Sequence, residues 1–362
     1  MSLELIAAGA MIVALTFYAL LGGADYGGGV WDIFAWGKHG RAQRELISSA
    51  IGPVWEANHV WLILVIVLLF TAFPVAFAVI ATALHIPLTL LLIGIVLRGS
   101  AFTFRTYDAQ HDKVQRRWSY LFSIASIITP ILLGITLGAI ASGQITAPNG
   151  DVTADFVHTW FAPFPFSVGF FALALFAFLA AVYLTLETDD VKLQDDFRRR
   201  AIVSGVIVGL LALTVFLLSE KGAPKVRAGL SASMWALPLH VATAICAVGA
   251  FWSLWRRKYK LARVCAAGQV VLILWGWALA QYPYIVEPDI TISSAAAPRA
   301  TIQLLLIALA VGALLLFPSF YYLFHVFKGQ TAFDEVEGAP GALEQKKQGA
   351  EELNAKVKVK ND

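Results

Sequence analysis

Charge is scarce in this chain: 14% of its 362 residues are Asp, Glu, Lys or Arg, against roughly 25% in soluble domains, while 59% are hydrophobic. That balance excludes an ordinary soluble domain. Cysteine is scarcer still, with only Cys246 and Cys265, both in apolar surroundings and without a Cys-x-x-Cys pair. Neither a disulfide framework nor a thiolate metal site is supported, and both read as packing residues. No Lys or Arg precedes Lys38, so the N-terminus lacks the basic region of a cleaved signal peptide and its first apolar run is expected to stay as a span. The glycine-rich stretch "GGADYGGGVWD", Gly22 to Asp32, has neither the Gly-x-Gly-x-x-Gly nor the Walker spacing, and no strand precedes it. A phosphate cradle is thereby set aside. A Glu-x-x-His pair occurs once, at Glu56 and His59, whereas a di-iron bundle uses it twice, so no metal is expected.

What is abundant is uninterrupted apolar sequence. A bilayer-spanning helix takes about 20 apolar residues to cross some 30 Å of hydrocarbon. Nine such runs occur, at 5–24, 57–73, 75–97, 118–142, 156–186, 201–219, 228–255, 264–286 and 300–327, with Pro74 dividing the second from the third in a tight helical hairpin. Period-two alternation is weak, so the spans are helices and not barrel strands. The fold class is an all-α integral membrane protein. The run lengths permit a duplicated four-helix unit plus one extra helix.

Lys and Arg set the orientation. If the N-terminus is outside, the inner segments hold Lys38, Arg41, Arg44, Arg98, Arg105, Lys113, Arg116, Arg117, Lys192, Arg198 to Arg200, Arg256 to Lys258, Lys260 and Arg263. The outer ones hold Lys221, Lys225, Arg227 and Arg299. The N-terminus is therefore expected outside and the C-terminus inside. The net charge of +3 reflects this topology, and nucleic acid need not be invoked. From Thr331 the mixed charges and Gly338, Pro340 and Gly341 read as a cytoplasmic tail.

The ionisable residues at the ends of the first three runs are the candidates for chemistry. Asp25, Glu56 and Arg98 are expected at similar depth, near the cytoplasmic end of the hydrocarbon. A carboxyl there is pulled in opposite directions by burial and by a neighbouring Arg, which suits proton uptake and release. Asp25 and Asp32 stand seven apart and share a helical face with Gly28 and Gly29, while Gly23 and Gly27 form a small-x-x-x-small step for close helix approach. Those glycines are expected to bring polar groups of a neighbouring helix to Asp25, with Asp32 hydrated nearer the surface. The competing reading is a carboxyl that pairs with an Arg only to hold the bundle together. His85 and His240, inside apolar runs, have the placement of haem ligands but read as hydrogen-bonded helix contacts. His158 and His325 lie near span ends, and His39 and His111 in loops. Trp55 and Trp61 read as packing rings, and Gln281 with Pro283 as a bend at the end of the eighth span.

The stretches "GGADYGGGVWD", "IGPVWEANHVWLI", "VLRGSAFTFR" and "WGWALAQYP" together resemble subunit II of the cytochrome bd family of quinol oxidases, in the same order and spacing up to about Phe327. The resemblance implies two four-helix bundles at 1–142 and 143–286, a ninth, peripheral helix at 287–330 and the tail at 331–362, in the bacterial cytoplasmic (inner) membrane. It implies a haem-free subunit with no catalytic residue and no metal of its own. Its partner, subunit I, would carry two b-type haems and one d-type haem and oxidise quinol with reduction of O2 to water. The resemblance also admits a structural quinone, a small single-helix accessory subunit and bound membrane lipid. Asp25, Glu56 and Arg98 match a proton route from the cytoplasm, with Thr103 standing where relatives carry an acid. Asp32, Asn58, His59 and Arg105 are supporting polar positions, His59 replacing a Gln. A secondary transporter with buried acids, or a scaffold without conduction, are the rival classes.

Overall fold

In a computed structural model, the structure describes residues 2–107, 112–153 and 155–329. His111 and the tail from Thr331 lie outside the described residues. Among those described, nine helices are long and apolar enough to cross a membrane: Leu3–Ile33, Trp55–Ala72, His85–Arg105, Arg117–Ala141, Pro163–Leu184, Val191–Gly222, Ala236–Trp255, Tyr259–Gln281 and Arg299–Leu323. Their number agrees with the sequence. Contacts divide the described residues into two units, one up to Leu306 and one from Ile307 onward.

The first span is built from α1 (Leu3–Phe17), a π-helical turn at Tyr18–Gly22 and α2 (Gly23–Ile33). It therefore runs on past Asp25 and Asp32, well beyond the expected end at residue 24. After α3 (Gly40–Ile51) come α4 (Trp55–Ala72), the ten-residue α5 (Pro74–Ala83) and α6 (His85–Tyr107). The expected third span at 75–97 is thus corrected. Pro74 does break the chain, but it starts a separate short helix, and the span begins only at His85. The second break has its own cause. Leu84 leaves helical geometry at φ −112° and ψ 25°, and Pro87 falls in the first turn of α6, where its missing N–H costs no hydrogen bond. Arg98 consequently stands about 20 Å along α6 from His85, at roughly 1.5 Å per residue, inside the span instead of at its end.

The centre of the first unit is α8 (Pro163–Leu184), which packs against α2, against α7 (Asp112–Ala141) and against α9 (Val191–Gly222). Two glycines show how close these helices run. A Cβ on Gly27 would lie 2.0 Å from the Phe176 carbonyl oxygen, and one on Gly134 would lie 2.6 Å from that of Val168. Only a residue without a side chain fits such an approach. The glycine step of α2 is therefore used against the apolar face of α8, and not to bring polar groups to Asp25.

The remaining elements are α10 (Pro224–Ala232), α11 (Ala236–Trp255), α12 (Tyr259–Gln281) and α13 (Arg299–Gly329). A two-stranded antiparallel ladder, β1 (Tyr284–Val286) with β2 (Ile290–Thr291), follows α12. The eighth span thus ends at Gln281, five residues before the end expected from hydropathy. The side-chain amide of Gln281 donates to the Ile285 carbonyl at 2.8 Å, as the bend there anticipated. Buried Ala7, Phe73, Ala76, Val79, Ala139, Ile145, Val286 and Ile302 form one apolar cluster joining these loops to the helix ends.

Candidate functional site

Two layers of buried polar groups lie between α2, α4, α6 and α7. In the first, Asn58 donates from Nδ2 to Asp25 Oδ2 at 2.7 Å, with both residues almost wholly buried. Beside them Arg98, 1% exposed, donates from Nε to Ser126 Oγ at 3.2 Å, and its Nη1 lies 3.3 Å from His59 Nε2. The guanidinium sits over the ring of Tyr26 at 4.6 Å and near that of Phe122 at 5.2 Å. Aromatic faces attract such a cation most strongly where water is excluded. Arg98 Nη2, His59 Nδ1 and Asn58 Oδ1 are buried without a hydrogen-bond partner among the described residues. The layer thus retains donor and acceptor capacity that the protein itself does not fill.

The second layer lies two helical turns along α2. Arg105 Nη1 pairs with Asp32 Oδ2 at 3.1 Å, and Ser123 Oγ donates to the same oxygen at 3.2 Å. Asp32 is 2% exposed, which corrects the expectation of a hydrated surface carboxylate. A carboxylate taken out of water needs a partner, and α6 supplies it because that helix runs on through Arg105. This pair forms part of the lining of a cavity of about 1130 Å3. Exposed Arg41, Arg44 and Glu45 of α3 lie at its mouth, and buried Asp32, Arg105 and Ser123 at its floor. Ser123 and Ser126 are one turn apart on α7 and join the two layers.

The other predicted residues are placed differently. Glu56 is exposed on the outer face of α4, in line with exposed Val60, Ile63, Val67 and Phe70. It does not point the same way as His59, although the two stand only three positions apart. Thr103 is exposed on α6 and donates back to the Gly99 carbonyl at 3.0 Å, so it does not enter the buried cluster. Asp25, Asn58, His59 and Arg98 are brought together, as are Asp32 and Arg105. His85 Nδ1 lies 2.9 Å from the Thr82 carbonyl at the start of α6, and His240 is exposed on α11.

Tyr18, Tyr26, Ser123 and Ser126 were not singled out by the sequence reading. Tyr26 adjoins Asp25, and Ser123 and Ser126 fall in the series Ser119, Ser123, Ser126 and Thr129 at helical spacing, which is the signal that marks them. Gly29 makes room for one of them, since a Cβ there would lie 2.2 Å from Ser126 Oγ.

Comparison with known proteins agrees with this architecture. A family model described as cytochrome bd terminal oxidase subunit II matches residues 3–327. The putative cytochrome bd menaquinol oxidase subunit II of Bacillus subtilis (strain 168) is 25% identical over 319 residues, covering 86% of this chain and 91% of that protein. The cytochrome bd-I ubiquinol oxidase subunit 2 of Escherichia coli (strain K12) is 24% identical over 210 residues, 57% of this chain and 53% of that one. A chain of the solved bd oxidase from Geobacillus thermodenitrificans matches with a TM-score of 0.77 at 23% identity, over 90% of this chain and 99% of that chain, a likeness of fold. With the family model matched over nearly its whole described length, this chain belongs to the cytochrome bd terminal oxidase subunit II family.

Proposed function

We propose that this chain is the haem-free subunit that helps assemble a bd-type quinol oxidase and supplies it with protons from the cytoplasm. Family membership itself makes it a multi-pass bacterial inner-membrane subunit of a respiratory terminal oxidase, with a subunit I as partner. In our reading that partner holds both b-type haems and the d-type haem, oxidises quinol and reduces O2, while no residue of this chain is catalytic. The haem-free assignment follows the family, in which the haems belong to subunit I. Family membership also favours an oxidase over the secondary transporter.

The observation that carries the proton role is the succession of buried polar groups. It begins at the cavity floor with Asp32, Arg105 and Ser123, and continues through Ser126 and Arg98 to His59, Asn58 and Asp25. Protons move between such groups through water and positioned carboxyls. Asp25 and Asp32 act as the carboxyls of this route, and Arg98 and Arg105 balance their charge. Glu56, with Thr103, works from the outer face of α4 and α6 towards the partner. The N-terminus is outside and the C-terminus inside, so the mouth of the cavity with Arg41 and Arg44 opens to the cytoplasm. The chain is arranged as bundles at 1–142 and 143–286, a segment at 287–330 that carries the ninth, peripheral helix, and a tail at 331–362. A structural quinone, lipid and a single-helix accessory subunit complete the assembly.

The test is Glu56→Gln and, separately, Asp25→Asn in the purified two-subunit complex with its haem spectrum intact. Slower quinol oxidation and weaker charge separation are expected. Wild-type values in both would remove these carboxyls from proton delivery, and loss of the haem spectrum would assign them to assembly instead.

A further inference from the structure

Arg98 has to be held where a long, flexible side chain would otherwise wander, and Ser126 and His59 are not its only neighbours. Its guanidinium lies over the Tyr26 ring at 4.6 Å, and Tyr26 is wholly buried. The Tyr26 hydroxyl is in turn met by that of Tyr18 at 3.2 Å, with the two rings edge to face at 6.5 Å. Both rings also flank His59, at 6.0 and 5.9 Å.

Local backbone geometry creates this contact. The π-helical turn at Tyr18–Gly22 inserts an extra residue into the first span, and insertions of this kind recur at functional sites. Tyr18 folds back along it over Gly22, where a Cβ would lie 2.8 Å from the Tyr18 ring. A residue larger than glycine at 22 would displace the ring that contacts Tyr26.

We propose that Tyr26, fixed by Tyr18 across the π-helical turn, is the positioning residue that holds the Arg98 guanidinium against His59 and beside the Asp25–Asn58 pair. The aromatic face supplies the attraction, and the Tyr18 hydroxyl sets the tilt of that face. This inference rests on the proton-delivery reading for its consequence in turnover, but not for its geometry.

The experiment compares Tyr26→Leu, Tyr26→Phe and Tyr18→Phe in the complete oxidase, with haem absorption as the measure of assembly. Removing the aromatic face is expected to lower turnover about tenfold and to move its pH profile. Tyr26→Phe, which restores the face, is expected to recover most of that loss. Turnover and pH profile unchanged in Tyr26→Leu, or Tyr26→Phe as impaired as Tyr26→Leu, would overturn the proposal. A second measurement does not depend on turnover or on the leucine variant folding: the guanidinium resonances of Arg98 in 15N-arginine-labelled wild-type complex, assigned with Arg98→Lys. Ring currents from Tyr26 and Phe122 are expected to shift them upfield, and Tyr18→Phe to reduce the shift. Resonances at solvent-exposed arginine positions would overturn the proposal even if Asp25→Asn had established proton delivery.

Discussion

Arg105 and Asp32 form a buried ion pair, Nη1 to Oδ2 at 3.1 Å, between the end of α6 and the end of α2. The two residues are 73 positions apart in sequence, and their pairing closes the floor of the cavity. Removing one member of such a pair leaves a charge without compensation, at a cost of about 3–5 kcal/mol. Arg105→Leu is expected to lower the thermal unfolding midpoint of the purified complex markedly. The double variant Arg105→Leu with Asp32→Leu should recover much of the loss. Equal midpoints for Arg105→Leu and wild type would show that the pair contributes no net stability.

Asn58 offers a narrower test, because its hydrogen bond goes to a single carboxylate oxygen of Asp25. A hydrogen bond to a charged group contributes about 1.5–3 kcal/mol. Asn58→Leu keeps the volume but loses the donor, and steady-state quinol oxidation per haem is expected to fall. An undiminished rate would detach Asn58 from proton delivery.

Gly27 and Gly9 make a matched pair for packing. Gly9 has nothing within 4 Å of a built Cβ, whereas Gly27 would meet the Phe176 carbonyl at 2.0 Å. Gly9→Ala is expected to be neutral or to stabilise by up to about 1 kcal/mol through helix propensity. Gly27→Ala should instead destabilise by about 1–3 kcal/mol or more as α2 is driven from α8. Thermal melts of both variants decide this, and equal behaviour would mean that α2 and α8 do not approach so closely.

Glu287 predicts a pH dependence outside the spans. It is 2% exposed, its Oε1 has no hydrogen-bond partner among the described residues, and burial pushes its carboxyl up from 4.5 to about 7, against a smaller downward pull from Lys225. The folded state thus binds a proton that the unfolded state releases, and stability falls as pH rises from about 4.5 through 7. Glu287→Gln is expected to flatten that part of the stability profile and to raise the melting temperature at pH 8 relative to wild type. An identical slope in the variant would exclude Glu287 as its source.

Fold class was open to a linear reading because a bilayer demands length and apolarity, and both are written along the chain. The nine spans, and the chemical interest of Asp25, Asn58, His59 and Arg98, needed no coordinates. Span ends were less legible. Hydropathy cannot separate a short apolar helix such as Pro74–Ala83 from the span that follows it, and it stops the first span at the first charge although the helix continues through Asp32.

Which polar groups meet was decided only in three dimensions. Asp32 reads as a solvated acid until α6 brings Arg105 to it, and Glu56 reads as a partner of His59 until the turn of α4 carries it outward. Composition determined that this protein lives in a membrane, since that follows from summed transfer energies. Side-chain direction, the Tyr18–Tyr26 contact and the two polar layers depend on helix rotation and close approach between segments distant in sequence, quantities that only the folded chain possesses.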